Sequence, residues 1–215
     1  MRYLLFGAPA PAYKVAVLIK TAAFTAHALQ EHYVHPLHAA GIPADTVIGY
    51  TLKYDEHNKC TAKQAKEYLA TLLPVLVSMG TEVLYVCDSA YFKILTKQTK
   101  ADPHSGYVLP CAIAGFEHLQ VVLGVNYQQL FYNPDLQTKL HAGLAAVSHW
   151  LHGTYTPPGT NILHHVSYPD TVADIRHTLQ QLHQYDLLAC DTETFSLKVY
   201  AAGLGTIAFA TGPHS

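Results

Sequence analysis

Charge is scarce in this chain of 215 residues. Only 13% are Asp, Glu, Lys or Arg, and the net charge is −2 with histidine neutral. Such a balance does not grip nucleic acid by bulk electrostatics. The 15 histidines would make it cationic only below about pH 6. Cysteine is sparse as well. Cys60, Cys87, Cys111 and Cys190 stand alone, with no Cys-x-x-Cys pair, which argues against a disulfide frame or a zinc site and for reduced thiols in a cytoplasmic protein. Long apolar runs are missing too: the longest early one, residues 15–19, is bracketed by Lys14 and Lys20. A membrane span needs about 18 or more, so neither a span nor a signal peptide is expected. Hydrophobic residues, by contrast, make up half the chain, enough for a substantial core.

The first 150 residues alternate strand and helix patterns. Short apolar runs at 1–6, 14–19, 46–52, 82–87 and 119–125 read as strands. Residues 22–40 have helical period and end at Gly41, with Pro36 expected to kink or break them. Thr61 caps a helix with Ala65, Leu69, Leu72, Leu73 and Leu76 on one face and Lys63, Lys66 and Glu67 on the other; Pro74 is expected to bend it. A short helix follows near 89–95, and residues 102–106 read as a loop. Asn133 caps and Pro134 opens a last helix, with Leu136, Leu140, Leu144 and Val147 inward. The alternation predicts an α/β fold: a mostly parallel sheet with helices on both faces. Residues 154–160, with Pro157 and Pro158, read as a linker between a domain at 1–153 and a segment at 161–215.

The densest chemistry lies in that segment. An apolar run at 187–190 delivers Asp191 and Glu193 at its end. In a strand, residues i and i+2 share a face, about 6–7 Å apart at their Cα atoms. Two carboxylates so placed can share a divalent cation, the start of the acidic nest that two-metal phosphodiester hydrolysis needs. A solvated turn is the alternative for an isolated Asp-x-Glu. Upstream, Asp170 or Thr171 caps a helix with Asp174 at capping-box spacing, and Val172, Ile175, Leu179 and Leu182 recur at helical period. Downstream, residues 203–210 read as a second strand.

From His164 to about Gly212 the chain resembles the opening of the 3′–5′ proofreading exonuclease domain of family A DNA polymerases. The matching parts are the helix, the strand into Asp191-Thr192-Glu193-Thr194, the Ser196-Leu197 loop, and Gly205-Thr206-Ile207-Ala208-Phe209-Ala210. The resemblance implies a ribonuclease H-like start in which Asp191 and Glu193 are catalytic, metal-ligating acids for Mg²⁺. The family's later motifs, with two further Asp residues and a Tyr or His, would lie beyond residue 215. The expectation is a truncated exonuclease domain, inactive alone, whose two-metal site exists only in the complete domain.

Residues 14–152 resemble, in order and spacing, the uracil-DNA glycosylase superfamily. The counterparts are the strand at 15–19, Ala39-Ala40-Gly41-Ile42, the stretch from Val47 to Tyr54, the helix at 62–79, the strand at 83–88 into Ser89-Ala90, Gly106, and the strand at 119–125. The departures fall where catalysis would sit. Lys20-Thr21-Ala22-Ala23-Phe24 replaces a Gly-Glu-Ala-Pro-Gly-like loop, Asn126 stands at the position of the anion-stabilising His, and Tyr127-Gln128 replace Pro-Ser. Support of a departing anion is usually the largest catalytic term, so the resemblance implies a glycosylase-like domain without that activity, and without the iron–sulfur cluster of some members.

Other groups have two readings each. His27, His32, His35 and His38 lie on a helical stripe, as metal ligands or as surface side chains. Tyr127, Phe131 and Tyr132 can stack on single-stranded bases or anchor a loop. Lys93, Lys97 and Lys100 can meet phosphate or form a solvated face; with Asn126 and Tyr127, Lys93 and Lys97 are the candidate nucleic-acid contacts. Three functions are carried forward. One is the amino-terminal region of a phage-type DNA polymerase, acting on DNA in the host cytoplasm with a replisome protein as possible partner. The second is an active glycosylase repair enzyme. The third is a stand-alone replisome interaction module.

Overall fold

The computed structural model describes residues 2–57, 59–160, 166–196 and 203–212. The chain divides into two compact units, Met1–Pro158 and Gly159–Ser215.

The first unit is built on a six-stranded sheet. Its strands are β1 (Tyr3–Leu5), β2 (Val15–Lys20), β3 (Val47–Leu52), β4 (Val83–Val86), β5 (Val108–Pro110) and β6 (Gln120–Leu123), in the order β1-β3-β2-β4-β6-β5. The inner four are parallel. The two edges are not: β1 runs antiparallel to β3, and β5 antiparallel to β6. The α/β expectation holds, and the parallel arrangement holds for the centre of a mixed sheet. The inner strands are largely apolar and buried because helices cover both faces. Ala16, Leu18, Leu84 and Val86 face one core; Val15, Val17, Val83 and Tyr85 face the other.

The first core is closed by α3 (Ala62–Ser78) and α4 (Ser89–Thr96). Thr61 and Gln64 form a reciprocal capping box at the start of α3, the satisfaction of orphan N–H groups that the spacing predicts. The helix runs on through Pro74 to Ser78. The hydrogen bond Pro74 cannot donate would have gone to Ala70, an exposed position where water can serve the carbonyl.

The second core is closed by α5 (Leu136–Leu151) and by a helix in three parts: α1 (Ala26–Leu29), a π turn (Gln30–Val34) and α2 (His35–Ala39). The sequence predicts one helix over 22–40 disturbed at Pro36. The helix instead starts after the Thr25 cap, and the disturbance falls in the turn before Pro36, where widened hydrogen bonding accommodates the ring. The regular part of α5 begins at Leu136, two residues past Pro134; Asn133 accepts from the Asp135 N–H at 3.2 Å in the turn leading in.

The chain after α5 is pinned to this unit as far as Pro158. The Tyr155 hydroxyl accepts from the Val108 N–H at 2.9 Å, and the Tyr107 hydroxyl donates to the Pro158 carbonyl at 2.8 Å. Strand β5, which sequence reading missed, is the element that receives it.

In the second unit, α6 (Val172–Leu182) is capped by Thr171, whose hydroxyl accepts from the Asp174 N–H at 3.1 Å. Strands β7 (Ala189–Thr194) and β8 (Leu204–Ala210) pair antiparallel as a separate two-stranded sheet. His164, where the exonuclease resemblance begins, and Leu197 of the expected loop lie outside the described residues. No helix among the described residues is long and apolar enough to cross a membrane.

Candidate functional site

Period-two alternation places Asp191 and Glu193 on one face of β7. The register sets Asp191 opposite Ala208 and Glu193 opposite Thr206, so the acids' cross-strand neighbours are small and carry no competing cation. Cys190 and Phe209, paired across the strands, belong to the other face with Thr192 and Ile207. Both acids are exposed. Two carboxylates with retained waters are a donor set that suits one Mg²⁺ ion. They do not complete a two-metal site, and among the described residues no three His, Cys, Asp or Glu side chains are gathered to hold a metal. The histidine stripe disperses accordingly: His27 meets Glu31 at 3.6 Å, His32 stacks on Tyr127, and His35 and His38 are exposed.

In the first unit the carboxyl ends of the parallel strands gather the remaining polar groups. This is where open α/β sheets place ligands, at the point where chain connections diverge to either side. Here β2 neighbours both β3 and β4. Lys20, ending β2, reaches Asp88, just past β4, at 3.5 Å. Asp88 is nearly buried and fully engaged. It accepts from the Tyr54 hydroxyl at 2.6 Å and caps α4 by accepting from the Ala90 and Tyr91 N–H groups at 2.9 and 3.0 Å. The Lys20 ammonium also lies 4.3 Å from the centre of the Tyr54 ring, a cation–π contact. Burial first, then the Asp88 carboxylate, pushes the Tyr54 phenol well above its ordinary value. A cleft of about 590 Å³ opens beside this group, lined by Arg2, Thr21, Lys53, Tyr54, Glu67 and Tyr68 among others. Sequence reading placed Lys20 and Asp88 at strand ends but did not join them. The available signal was their common position, a polar residue closing an apolar strand.

Asn126 and Tyr127 follow β6 at the same edge. The Asn126 carbonyl side chain accepts from the Gln128 N–H at 3.1 Å, capping the 3₁₀ turn Tyr127–Phe131. Its acceptor is therefore used within its own loop. The turn is held from below by Tyr33, fully buried, whose hydroxyl donates to the Val125 carbonyl and accepts from the Tyr127 N–H, both at 2.9 Å. The Tyr127 ring stacks on His32, centroids 4.7 Å apart and planes within 9°. Phe131 and Tyr132 are 80% and 92% exposed, so of the three aromatic candidates only Tyr127 is anchored.

Lys93 and Lys97 fall elsewhere, in a cleft of about 680 Å³ between α3, α4 and residues 112–116. Lys66 of α3 joins them, and Ile94, Ile113 and Phe116 form the apolar floor. Lys97 ends α4 with φ of 56°, the single non-glycine residue with positive φ among the described residues.

Together these features define an α/β protein with a mixed six-stranded sheet, followed by a small unit that carries an acidic hairpin. No protein-family model matches the chain, and no curated protein matches it in sequence.

Proposed function

We propose that this chain is the amino-terminal region of a phage-type family A DNA polymerase. In this reading a noncatalytic, glycosylase-like domain binds DNA or a replisome partner, and the hairpin carries the first metal-binding motif of a 3′–5′ proofreading exonuclease. The protein works in the cytoplasm, that of the host cell if phage-encoded. The observation that carries the reading is the hairpin: Asp191 and Glu193 share one face of a strand that, among the described residues, pairs with β8 alone, preceded by a capped helix. Mg²⁺ bound there would polarise phosphodiester oxygens and lower the pKa of bound water. The role of this chain's own residues is narrower: Asp191 and Glu193 hold the cation, and small neighbours at 206 and 208 leave room for it. The Asn126–Gln128 turn supports a noncatalytic first domain, because the position of the anion-stabilising His carries a neutral amide that is held as the cap of its own turn.

Reading the native gene past codon 215 tests the proposal. An open frame continuing into further Asp-bearing motifs and a polymerase domain is the expected result. A stop codon there, or an unrelated domain, overturns it. Mn²⁺ titration of the chain followed by electron paramagnetic resonance checks the site itself: weak binding is expected, lost in Asp191→Ala and in Glu193→Ala.

A further inference from the structure

The cleft between α3 and α4 carries charge of one sign. The whole chain carries a net charge of −2, yet every charged residue lining this cleft is a lysine: Lys66, Lys93 and Lys97. None of the three has a carboxylate within ion-pair distance among the described residues. Between them the floor is apolar. Ile94, Ile113 and Phe116 are half-buried and pack against the first core, so their exposed edges are fixed in place. Alanines from α3 and the 112–116 segment fill the remaining wall. The segment is held in register by the Ala112 N–H, which donates to the Leu95 carbonyl at 2.7 Å.

We propose that this cleft is a docking site for an acidic peptide segment of a partner protein, with one large apolar side chain as its anchor. The occupant follows from charge and from what the wall lacks. Three unpaired ammonium groups around an apolar floor complement carboxylates that flank a hydrophobic side chain. A volume of about 680 Å³ is in the range that holds a few side chains. Single-stranded nucleic acid fits the charge but not the wall. Its bases are recognised by stacking and by hydrogen bonds to their edges. The cleft offers one aromatic ring, Phe116, and no neutral polar side chain.

Lys97 adds an independent sign. A non-glycine residue in the left-handed region is strained and persists only where the surroundings impose it. Glycine would close α4 more comfortably, and a lysine stands there instead, at the rim of the cleft. This inference is separate from the polymerase reading: it rests on the first unit alone and holds whatever follows residue 215.

The test is fluorescence anisotropy of the full chain with a labelled synthetic peptide, a short run of glutamates ending in phenylalanine. Saturable binding is expected, weakened about tenfold or more by Lys66→Glu and by Lys93→Glu, and by replacing the peptide's phenylalanine with serine. Lys139→Glu, on α5 at the opposite face of the sheet, makes the same change in net charge and should leave binding within about twofold. Lys93→Gln is the milder variant should charge reversal disturb folding. Equal losses with Lys139→Glu would mean nonspecific attraction and overturn the proposal. So would indifference to the phenylalanine, an absence of saturable binding, or tighter binding of oligothymidylate that is lost with the same lysines.

Discussion

The side-chain amide of Gln128 donates to the carbonyl oxygen of Ala22 at 3.2 Å. This one bond ties the loop after β2 to the turn after β6, the two places that the glycosylase resemblance aligns with that family's motifs. A chain closed in this way should release no uracil. Incubation of the protein, in excess, with an oligonucleotide containing a single uracil, followed by alkaline cleavage, is expected to leave the strand intact. Asn126→His should not confer activity, because the bridge and the Tyr127 stack on His32 fix the turn in its present shape.

Asp88 should be the most sensitive polar residue of the first unit. It caps α4 through two N–H groups, accepts from Tyr54 and faces Lys20. Asp88→Ala removes the cap and leaves a half-buried ammonium and a phenol without their partner. A loss of about 2–4 kcal/mol in urea unfolding is expected, discounted because the Lys20 side chain is 35% exposed. Asp88→Asn keeps an acceptor for the cap and should cost less.

Gly124 lies against the Tyr85 ring. A Cβ built there would come 2.6 Å from the ring, which is fully buried and cannot yield. Gly124→Ala should destabilise the chain by about 1–3 kcal/mol, seen as a lower midpoint in thermal unfolding.

Lys97→Gly should act in the opposite direction. It relieves the positive φ at the end of α4, for a gain of about 1 kcal/mol. If the lysine cleft binds as proposed, the same variant loses affinity for the acidic peptide while melting higher. That combination separates a binding role from a purely structural one.

Alkaline pH should unfold the protein before its interior tyrosines ionise. Burial, chiefly, raises Tyr33, Tyr54, Tyr85 and Tyr91 well above the ordinary tyrosine value, and holds Tyr68 up to about 12. The unfolded chain releases these protons near pH 10.0, where the folded chain still holds them. Stability is therefore intact below pH 10 and falls as pH rises toward the folded values. Tyrosinate absorbance from the buried set should appear only together with loss of circular dichroism.

Elements whose contacts are local were legible along the chain alone. The runs that became β2, β3 and β4 are apolar on both sides, which only a doubly covered strand tolerates. The capping box at Thr61 and the cap at Thr171 join residues three apart, and the shared face of Asp191 and Glu193 follows from a period of two. Tertiary structure decided the rest. The edge strand β5 is three residues long, too short for any pattern, and the antiparallel direction of β1 is set by its pairing with β3. The Lys20–Asp88–Tyr54 group, the Gln128–Ala22 bridge and the gathering of Lys66 with Lys93 and Lys97 join residues far apart along the chain. No periodicity records such pairs, because the free energy that brings them together comes from burying the strands and helices beneath them rather than from the polar groups themselves.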